Sequence, residues 1–585
     1  MTPEKSDISL IKEDSNNPVD PQTSAHILQE AGLTETEIEK ITRHYGKRLQ
    51  KILDWDPYDM VENVWKLSFF TADKIGKYLN IQNDDPRRIR GAILTAIKLF
   101  AEEGNMFARE EETITTAARI AKINPDLVPQ QIEELEKEGR IVRKDEALYL
   151  PVYFKAEQEA AKKLGEILRA PAINEEGYQL PATDIEGHPF SEDQIKAIRT
   201  VVKNNITVIT GGPGTGKTTT LRGILKLLLD ADKKVVLTAP TGRAVKRMSM
   251  LTGGEATTIH RLLGYTMGRG YRNKTLDADV LIIDEASMLE QVLFNHLLQA
   301  VSPGTKIILV GDTDQLPPIG AGSVLKDMIE SGVVPVIDLK ENFRQGEGSG
   351  ISDSALEIKK GNVPDIHPTQ DMIIIKEDKP EDIHQRLLSL LKEEIPSYTG
   401  ISPKNIQVVT PQKEGQLGAR ALNKELQELL NPDSPEIKRG MKKFRLGDRV
   451  MQSSNSSRRG VFNGEAGWIS DIDLENKKFE VTFNDGKKST YRDVDMKELS
   501  LAYATTVHKL QGSETDYMVF LLTSAHKNML YRNLLYTAVS RAKKLCVIIT
   551  EPEAMQTAVK DATRTDRNSN FSSLLREVAE DIESN

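Results

Sequence analysis

Apolar residues recur at helical spacing through roughly the first 165 positions, then give way to short β-branched runs separated by helical segments. Over 25–165 the pattern predicts helices at 26–31, 35–53, 60–67, 71–79 and 86–103. The stretch 114–142 follows as helix, turn, helix and then Arg140-Ile141-Val142, the form of a small winged-helix unit. Residues 1 to about 24 are rich in Asp, Asn, Ser and Pro, which predicts a disordered tail. A polar linker covers 178–189.

Strand-like runs at 206–210, 234–239, 280–283 and 306–310 are each followed by turn residues and usually a helix. Such runs predict a parallel sheet covered on both faces. Runs at 406–410, 518–522 and 546–550 predict a second α/β domain. Between them, 446–499 alternates with period two and carries the hairpin signals Asn463-Gly464, Glu475-Asn476 and Asn484-Asp485-Gly486. We read it as a small β-barrel inserted into the second domain. The resulting division is a tail (1–24), an N-terminal helical region (25–185), a first α/β domain (186–345), a second (346–445 and 500–552), the barrel (446–499) and a C-terminal tail (553–585).

Composition narrows this picture. At 585 residues the chain exceeds one core, and roughly three to five domains are expected. The net charge of -9 argues against coating nucleic acid by bulk electrostatics and leaves room for a local basic channel. The single Cys546 excludes a disulfide framework and a cysteine-ligated metal, and its apolar surroundings predict a core residue. With no signal peptide and no apolar run of the ~18 residues a membrane span needs, the expected location is cytoplasmic.

The chemistry is concentrated in two short segments. Gly211-Gly212-Pro213-Gly214-Thr215-Gly216-Lys217-Thr218-Thr219 lies between a predicted strand and a predicted helix, the setting a phosphate-binding loop requires. Its glycines let backbone N–H groups close around the β-phosphate, and the helix N-terminus adds a favourable dipole. Residues 212–219 are therefore the expected nucleotide cradle, with Lys217 on the β- and γ-phosphates and Thr218 on Mg2+. Asp284-Glu285 ends the run 280–283. Acids at a strand's carboxyl end suit Asp284 to Mg2+ and Glu285 to polarising the attacking water. A GTPase would want Asn-Lys-x-Asp, and Asn273-Lys274-Thr275-Leu276 lacks the aspartate, so ATP is preferred.

Eight ordered segments then carry a family resemblance. They are Pro189-Phe190-Ser191-Glu192-Asp193-Gln194, Ala239-Pro240-Thr241-Gly242-Arg243-Ala244, Thr258-Ile259-His260-Arg261-Leu262-Leu263-Gly264 and Asp284-Glu285-Ala286-Ser287-Met288. They continue with Val310-Gly311-Asp312-Thr313-Asp314-Gln315-Leu316-Pro317-Pro318, Glu341-Asn342-Phe343-Arg344-Gln345, 504–514 (from Ala504-Thr505-Thr506 to Gly512-Ser513-Glu514) and Tyr536-Thr537-Ala538-Val539-Ser540-Arg541-Ala542. From about 26 to 552 the chain resembles the stand-alone RecD-like DNA helicases of superfamily 1B. The fold class this implies is α/β, with two RecA-like parallel-sheet domains, an SH3-like barrel insertion and an N-terminal helical region.

The resemblance implies roles for particular residues. Gln194 reads the adenine edge, and Gln315 senses the γ-phosphate. Arg344 and Arg541 are arginine fingers, and Gly512 and Glu514 complete the nucleotide wall from the second domain. Thr241, Arg243, Thr258, His260, Thr410, Thr506 and His508 are the expected DNA contacts, bonding phosphates without reading sequence. Residues 265–277 lie where the family carries a strand-splitting pin, with Tyr265 and Tyr271 able to stack on bases. Lys442, Lys443, Arg445, Arg458 and Arg459 of the barrel are candidates to flank the strand. The implied activity is ATP-driven 5′→3′ translocation on single-stranded DNA and unwinding at junctions with duplex, by a monomer. A translocase without robust unwinding is the alternative.

The N-terminal helices resemble the family's helix-hairpin-helix region, although the OB-type domain of longer relatives is not recognisable ahead of them. Lys66-Leu67-Ser68 replaces the usual Gly-Ile-Gly, which favours packing over DNA binding there and makes Trp65 and either Phe69 or Phe70 expected core residues. A relaxase-helicase fragment would need clustered histidines, but the nine present are scattered.

Overall fold

The computed structural model describes residues 21–583 apart from 65, 172–177, 179, 181–182, 184–186, 267–269, 273–274, 342–348, 366–368, 457 and 564–565. The first helix, Pro21–Glu30, begins inside the stretch read as a tail; 1–20 lie outside the described residues. The helix expected over 35–53 is broken. Glu35–Tyr45 stops at Gly46, whose φ of 51° suits glycine, and the chain restarts as Leu49–Trp55. Lys66 turns at φ 57°, a left-handed conformation the family's glycine adopts without a side-chain penalty. Ser68 then caps Phe69–Tyr78. Phe69 is buried as expected, Phe70 is 64% exposed, and Trp65 lies outside the described residues.

Strands β1 (Ala108–Arg109), β2 (Val142–Lys144) and β3 (Ala147–Tyr149) form a small antiparallel sheet beside the helices Glu110–Ala121 and Val128–Lys137. The long helix Pro151–Arg169 leads to the first α/β domain.

That domain is built on β4 (Ile206–Gly211), β5 (Val235–Ala239), β6 (Ala256–Thr258), β7 (Val280–Ile283), β8 (Lys306–Gly311) and β9 (Val336–Leu339). All pair in parallel in the order β6-β5-β7-β8-β4-β9. Its Val and Ile runs face both ways. Val208, Leu281, Ile283 and Ile307 join one buried cluster, while Ile209, Val280, Ile282 and Ile308 join another. Burial on both faces is what parallel strands require.

The second domain begins with β10 (Met372–Lys376) and β11 (Gln407–Thr410), leaves its sheet, and returns later. The excursion carries a hairpin, β12 (Glu436–Arg439) and β13 (Lys442–Arg445), and the strands β14 (Arg449–Gln452), β15 (Ala466–Asp473), β16 (Lys478–Phe483), β17 (Lys488–Arg492) and β18 (Leu499–Leu501). The last five pair antiparallel in the order β17-β16-β15-β14-β18. Ile437 and Phe444 from the hairpin share their core, so residues ahead of 446 join the barrel. The chain then completes the second parallel sheet with β19 (Ala504–Thr506), β20 (Thr515–Leu522) and β21 (Ala542–Thr550), in the order β10-β21-β20-β11-β19. Cys546 is fully buried there.

The C-terminal segment does more than trail away. Its helix Phe571–Glu583 returns to the first domain, where Phe571, Leu574 and Leu575 enter the core formed with Ala160, Leu164 and Phe294. Arg567 donates to the carbonyls of Gly320 and Gly322, 2.8 Å each, fastening the loop that follows β8.

Candidate nucleotide and DNA site

The loop between β4 and the helix Lys217–Asp230 holds the backbone tightly. Gly214 and Gly216 take φ of 79°, and a Cβ at Gly211 would lie 2.8 Å from the Leu339 carbonyl oxygen. Only glycine fits such a turn without strain. Lys217 donates through Nζ to the carbonyls of Gly211 and Gly212, the latter at 2.7 Å. Burial lowers its pKa, opposed by the nearby Asp312 and Glu285 carboxylates.

Two strand ends bring the acids to this loop. Asp284 and Glu285 follow β7, and the Glu285 N–H donates to Asp284 Oδ1 at 2.8 Å. Burial raises the Asp284 carboxyl above its usual range, opposed by Arg247. Glu285 has φ 50°, an uncommon left-handed conformation for a side-chain-bearing residue, and it starts a short 3-10 turn. Beyond β8, Asp312 accepts from Gln315 Nε2 at 3.0 Å.

The second domain closes the same space through its helix Arg532–Ser540 and the residue after it. Tyr536 donates to Asp312 Oδ2 at 3.1 Å, and Thr537 Oγ1 accepts from the Leu316 N–H at 2.8 Å. Asn533 donates to the Asp314 carbonyl at 2.8 Å. Arg541 donates through Nη2 to Gln315 Oε1, while its Nη1 is 3.9 Å from Glu285 Oε1. Gly512 turns with φ 70° beside Thr241. Glu514 pairs with Lys543 at 2.8 Å. Lys217, Asp284, Glu285, Gln315, Arg541 and Glu514 thus converge on one cleft. Arg344 lies outside the described residues.

Gln194 is placed differently from a free base-reading amide. It is buried as the third residue of the helix Glu192–Lys203, and its Oε1 accepts from the Ser191 N–H at 3.0 Å in a capping box. Its acceptor is occupied locally.

Thr241, Thr258 and Thr506 sit at the carboxyl ends of β5, β6 and β19. Each hydroxyl caps the helix that follows, accepting from Ala244, Arg261 and Lys509 respectively. Their O–H groups keep a proton to donate. His260 is exposed and packs edge-on against Tyr265, with ring centroids 5.4 Å apart; Tyr271 lies between Tyr265 and His296 with its ring tilted to both. His508 is half-buried, and burial lowers its pKa, so at neutral pH it is a neutral hydrogen-bonding group.

Three expectations are corrected. Thr410 is fully buried, its hydroxyl donating to the Leu417 carbonyl at 2.8 Å, because β11 lies inside the sheet between β20 and β19. Arg243 spans the cleft instead of facing a groove: its Nη1 donates to the Lys509 carbonyl at 2.5 Å and to Ser513 Oγ at 3.0 Å. The barrel cations are largely spent on intramolecular partners. Arg445 and Lys443 pair with Glu428, Arg459 with Asp495 and Glu498, and Lys442 donates to backbone carbonyls. Arg458 keeps a largely exposed side chain, at 70%, with its guanidinium 3.8 Å from Asp495.

Sequence reasoning passed over Arg247. It stands four residues after Arg243 on the helix Gly242–Thr252, and its guanidinium faces Asp284, Glu285 and Glu514. The i, i+4 spacing of two arginines inside a motif-bearing helix was the available signal.

Comparison with known proteins gives four family matches along the chain. Residues 22–107 match the ATP-dependent RecD2 DNA helicase HHH domain, 189–379 an AAA domain, 422–483 the ATP-dependent RecD-like DNA helicase SH3 domain, and 501–549 the UvrD-like helicase C-terminal domain. The chain is 32% identical over 536 residues to the ATP-dependent RecD2 DNA helicase of Deinococcus radiodurans, covering 88% of this chain and 73% of that protein. It is 29% identical over 459 residues to the RecBCD enzyme subunit RecD of Mycolicibacterium smegmatis, covering 71% and 80%. Among solved structures, the Pif1 helicase of Candida albicans superposes with a TM-score of 0.43 at 22% identity, over 63% of this chain and 96% of that one.

Proposed function

The chain belongs to the RecD2 family of ATP-dependent DNA helicases, and from this we propose that it moves 5′→3′ along single-stranded DNA by hydrolysing ATP between its two α/β domains. The observation that carries the reading is the cross-cleft contact: Arg541 of the second domain meets Gln315 and Glu285 of the first.

The residues present fit a nucleotide with a hard divalent cation. Gly211, Gly214 and Gly216 shape a cradle that a Cβ would crowd or strain, and the oxygen donors Thr218 and Asp284 suit Mg2+. Bound there, Mg2+ would neutralise charge on the phosphate oxygens. Residues 212–219 hold the phosphates, with Lys217 turning its ammonium from the loop carbonyls to the β- and γ-oxygens. Glu285 takes a proton from water as the water oxygen bonds to the γ-phosphorus; the β–γ bridging bond breaks and ADP leaves. Arg541 and Arg344 balance the charge that develops on the transferred group. Gln194, Gly512 and Glu514 line the remaining walls.

Loss of the γ-phosphate weakens the bridge across the cleft, and the domains part. On the DNA side, Thr241, Thr258, His260, Thr506 and His508 grip phosphates from both sheets in turn. The substrate is single-stranded DNA and its junction with duplex, engaged by a monomer in the cytoplasm. Among the described residues no helix is long and apolar enough to cross a membrane.

The test is a pair of duplexes, one with a 5′ single-stranded tail and one with a 3′ tail. The reading expects ATP-dependent unwinding of the first only. Unwinding of the 3′-tailed duplex alone would reverse the polarity, and DNA-stimulated ATP hydrolysis with neither duplex opened would leave a translocase.

A further inference from the structure

Arg247 holds a position that the reaction described above does not use. Its Nη2 lies 3.8 Å from Asp284 Oδ2 and 3.7 Å from Glu285 Oε1, and its Nη1 lies 3.6 Å from Glu514 Oε1. Three carboxylates from two domains therefore face one guanidinium. None is as close as the ~2.7–2.9 Å of a charge-assisted hydrogen bond. The Arg247 Nε is buried without a hydrogen-bond partner. A structural arginine of this burial would ordinarily be locked in a bidentate fork. This one is shared.

The charges on either side extend the contact. Lys543 holds the other Glu514 oxygen at 2.8 Å, and Arg541 approaches Glu285 at 3.9 Å. The row Lys543, Glu514, Arg247, Glu285, Arg541 begins and ends on the second domain and passes through Arg247 and Glu285 of the first.

The helix bearing Arg247 is itself tied across the cleft. Residues 243, 246 and 247 lie on one helical face. Arg243 bonds the loop at Lys509 and Ser513, and Lys246 pairs with Glu465 at 3.0 Å and Asp485 at 2.5 Å in the barrel. Motion of the second domain pulls on this helix directly.

We propose that Arg247 is a positioning residue for hydrolysis, orienting Glu285 and, through Glu514, making that orientation depend on contact with the second domain. The inference rests on Glu285 as the residue that activates water. Arg247 touches neither water nor phosphate in this account.

The test compares Arg247→Ala, Arg247→Lys, Glu514→Gln and the double variant Arg247→Ala/Glu514→Gln in the full chain. ATP turnover is measured with oligo(dT), and equilibrium affinity is measured for a fluorescent non-hydrolysable ATP analogue with and without oligo(dT). Arg247→Ala should lower kcat about 10- to 100-fold, the size of loss seen when outer-shell partners that orient metal ligands are removed. Analogue affinity without DNA should stay within about threefold, and its change on adding oligo(dT) should shrink. Arg247→Lys should recover part of kcat, since it keeps the charge and loses the fork. The double variant should be no slower than Arg247→Ala, because the two residues act in series. Wild-type kcat in Arg247→Ala, or fully additive losses with Glu514→Gln, overturns the proposal. Glu285→Gln separates the two failures: if it abolishes turnover while Arg247→Ala does not, only this inference falls. Normal turnover in Glu285→Gln would instead remove the reading beneath it.

Discussion

Arg541 donates through Nη2 to the side-chain carbonyl of Gln315, joining residues 226 positions apart on different domains. Gln315 passes the contact on to Asp312 at 3.0 Å, and Tyr536 reaches the same carboxylate from the second domain. The polar end of β8 is thus satisfied largely by groups from across the cleft. Separating the domains exchanges these hydrogen bonds for bonds to water, at a net cost of about 0.5–1.5 kcal/mol each. These contacts favour the closed cleft modestly, and a bound nucleotide adds a bridge that is lost with its γ-phosphate.

The phosphate-binding lysine gives the first prediction. Lys217→Ala removes the ammonium without disturbing the glycine turns, so ATP turnover should vanish while thermal stability and oligo(dT) binding stay near those of the parent. Turnover at the parent rate in steady-state assays would show that hydrolysis occurs elsewhere.

Docking of the barrel is tested at Gly242. A Cβ there would lie 2.5 Å from the Phe462 ring and 2.6 Å from its Cβ, so Gly242→Ala forces barrel and helix apart. Overpacking of this kind costs about 1–3 kcal/mol. Limited proteolysis should cut the barrel connections faster in Gly242→Ala, and adding Phe462→Gly, which removes both the ring and the Cβ it meets, should slow the cutting again. Equal rates in parent and Gly242→Ala would mean that the barrel is not held there.

The C-terminal helix carries a pH dependence. Asp327 is buried beneath it, accepts from Ser569 Oγ at 2.9 Å, and is pushed up to about 7 by desolvation, with Glu157 and Glu330 adding and Lys326 opposing. An acid whose folded pKa is raised binds its proton more tightly in the native state. Its contribution is full below about pH 4 and is lost as pH rises towards about 7. Thermal melts of Asp327→Asn should show a smaller fall in stability between pH 5 and 8 than the parent does. Identical slopes would contradict the assignment.

How much of this was legible beforehand differs from residue to residue. The strand, glycine turn and helix around Lys217 were readable because each signal is local, and so was the placing of Asp284 and Glu285 at a strand end. Thr410 was misplaced because its burial depends on strand order: β11 has a neighbour on each side, which no spacing along the chain reveals. The cross-cleft partners of Arg243 and Arg247 are hidden for a similar reason, since they lie as far along the chain as Ser513 and Glu514. The C-terminal helix reads as a solvated tail until its Phe571 side is set against the first domain. Local geometry overrides periodicity at Gly46, where a positive φ splits one predicted helix in two, and after Asn63, where the helix predicted over 60–67 stops short.

The central claim is that a site built on the first domain is completed by an arginine of the second. DNA-stimulated ATP turnover of Arg541→Ala, taken with binding of a fluorescent non-hydrolysable ATP analogue, tests it most directly. The account predicts a loss of about 10³-fold or more in kcat, as for an arginine that stabilises phosphoryl transfer, with analogue affinity retained within a few-fold. Turnover within a few-fold of the parent would contradict it.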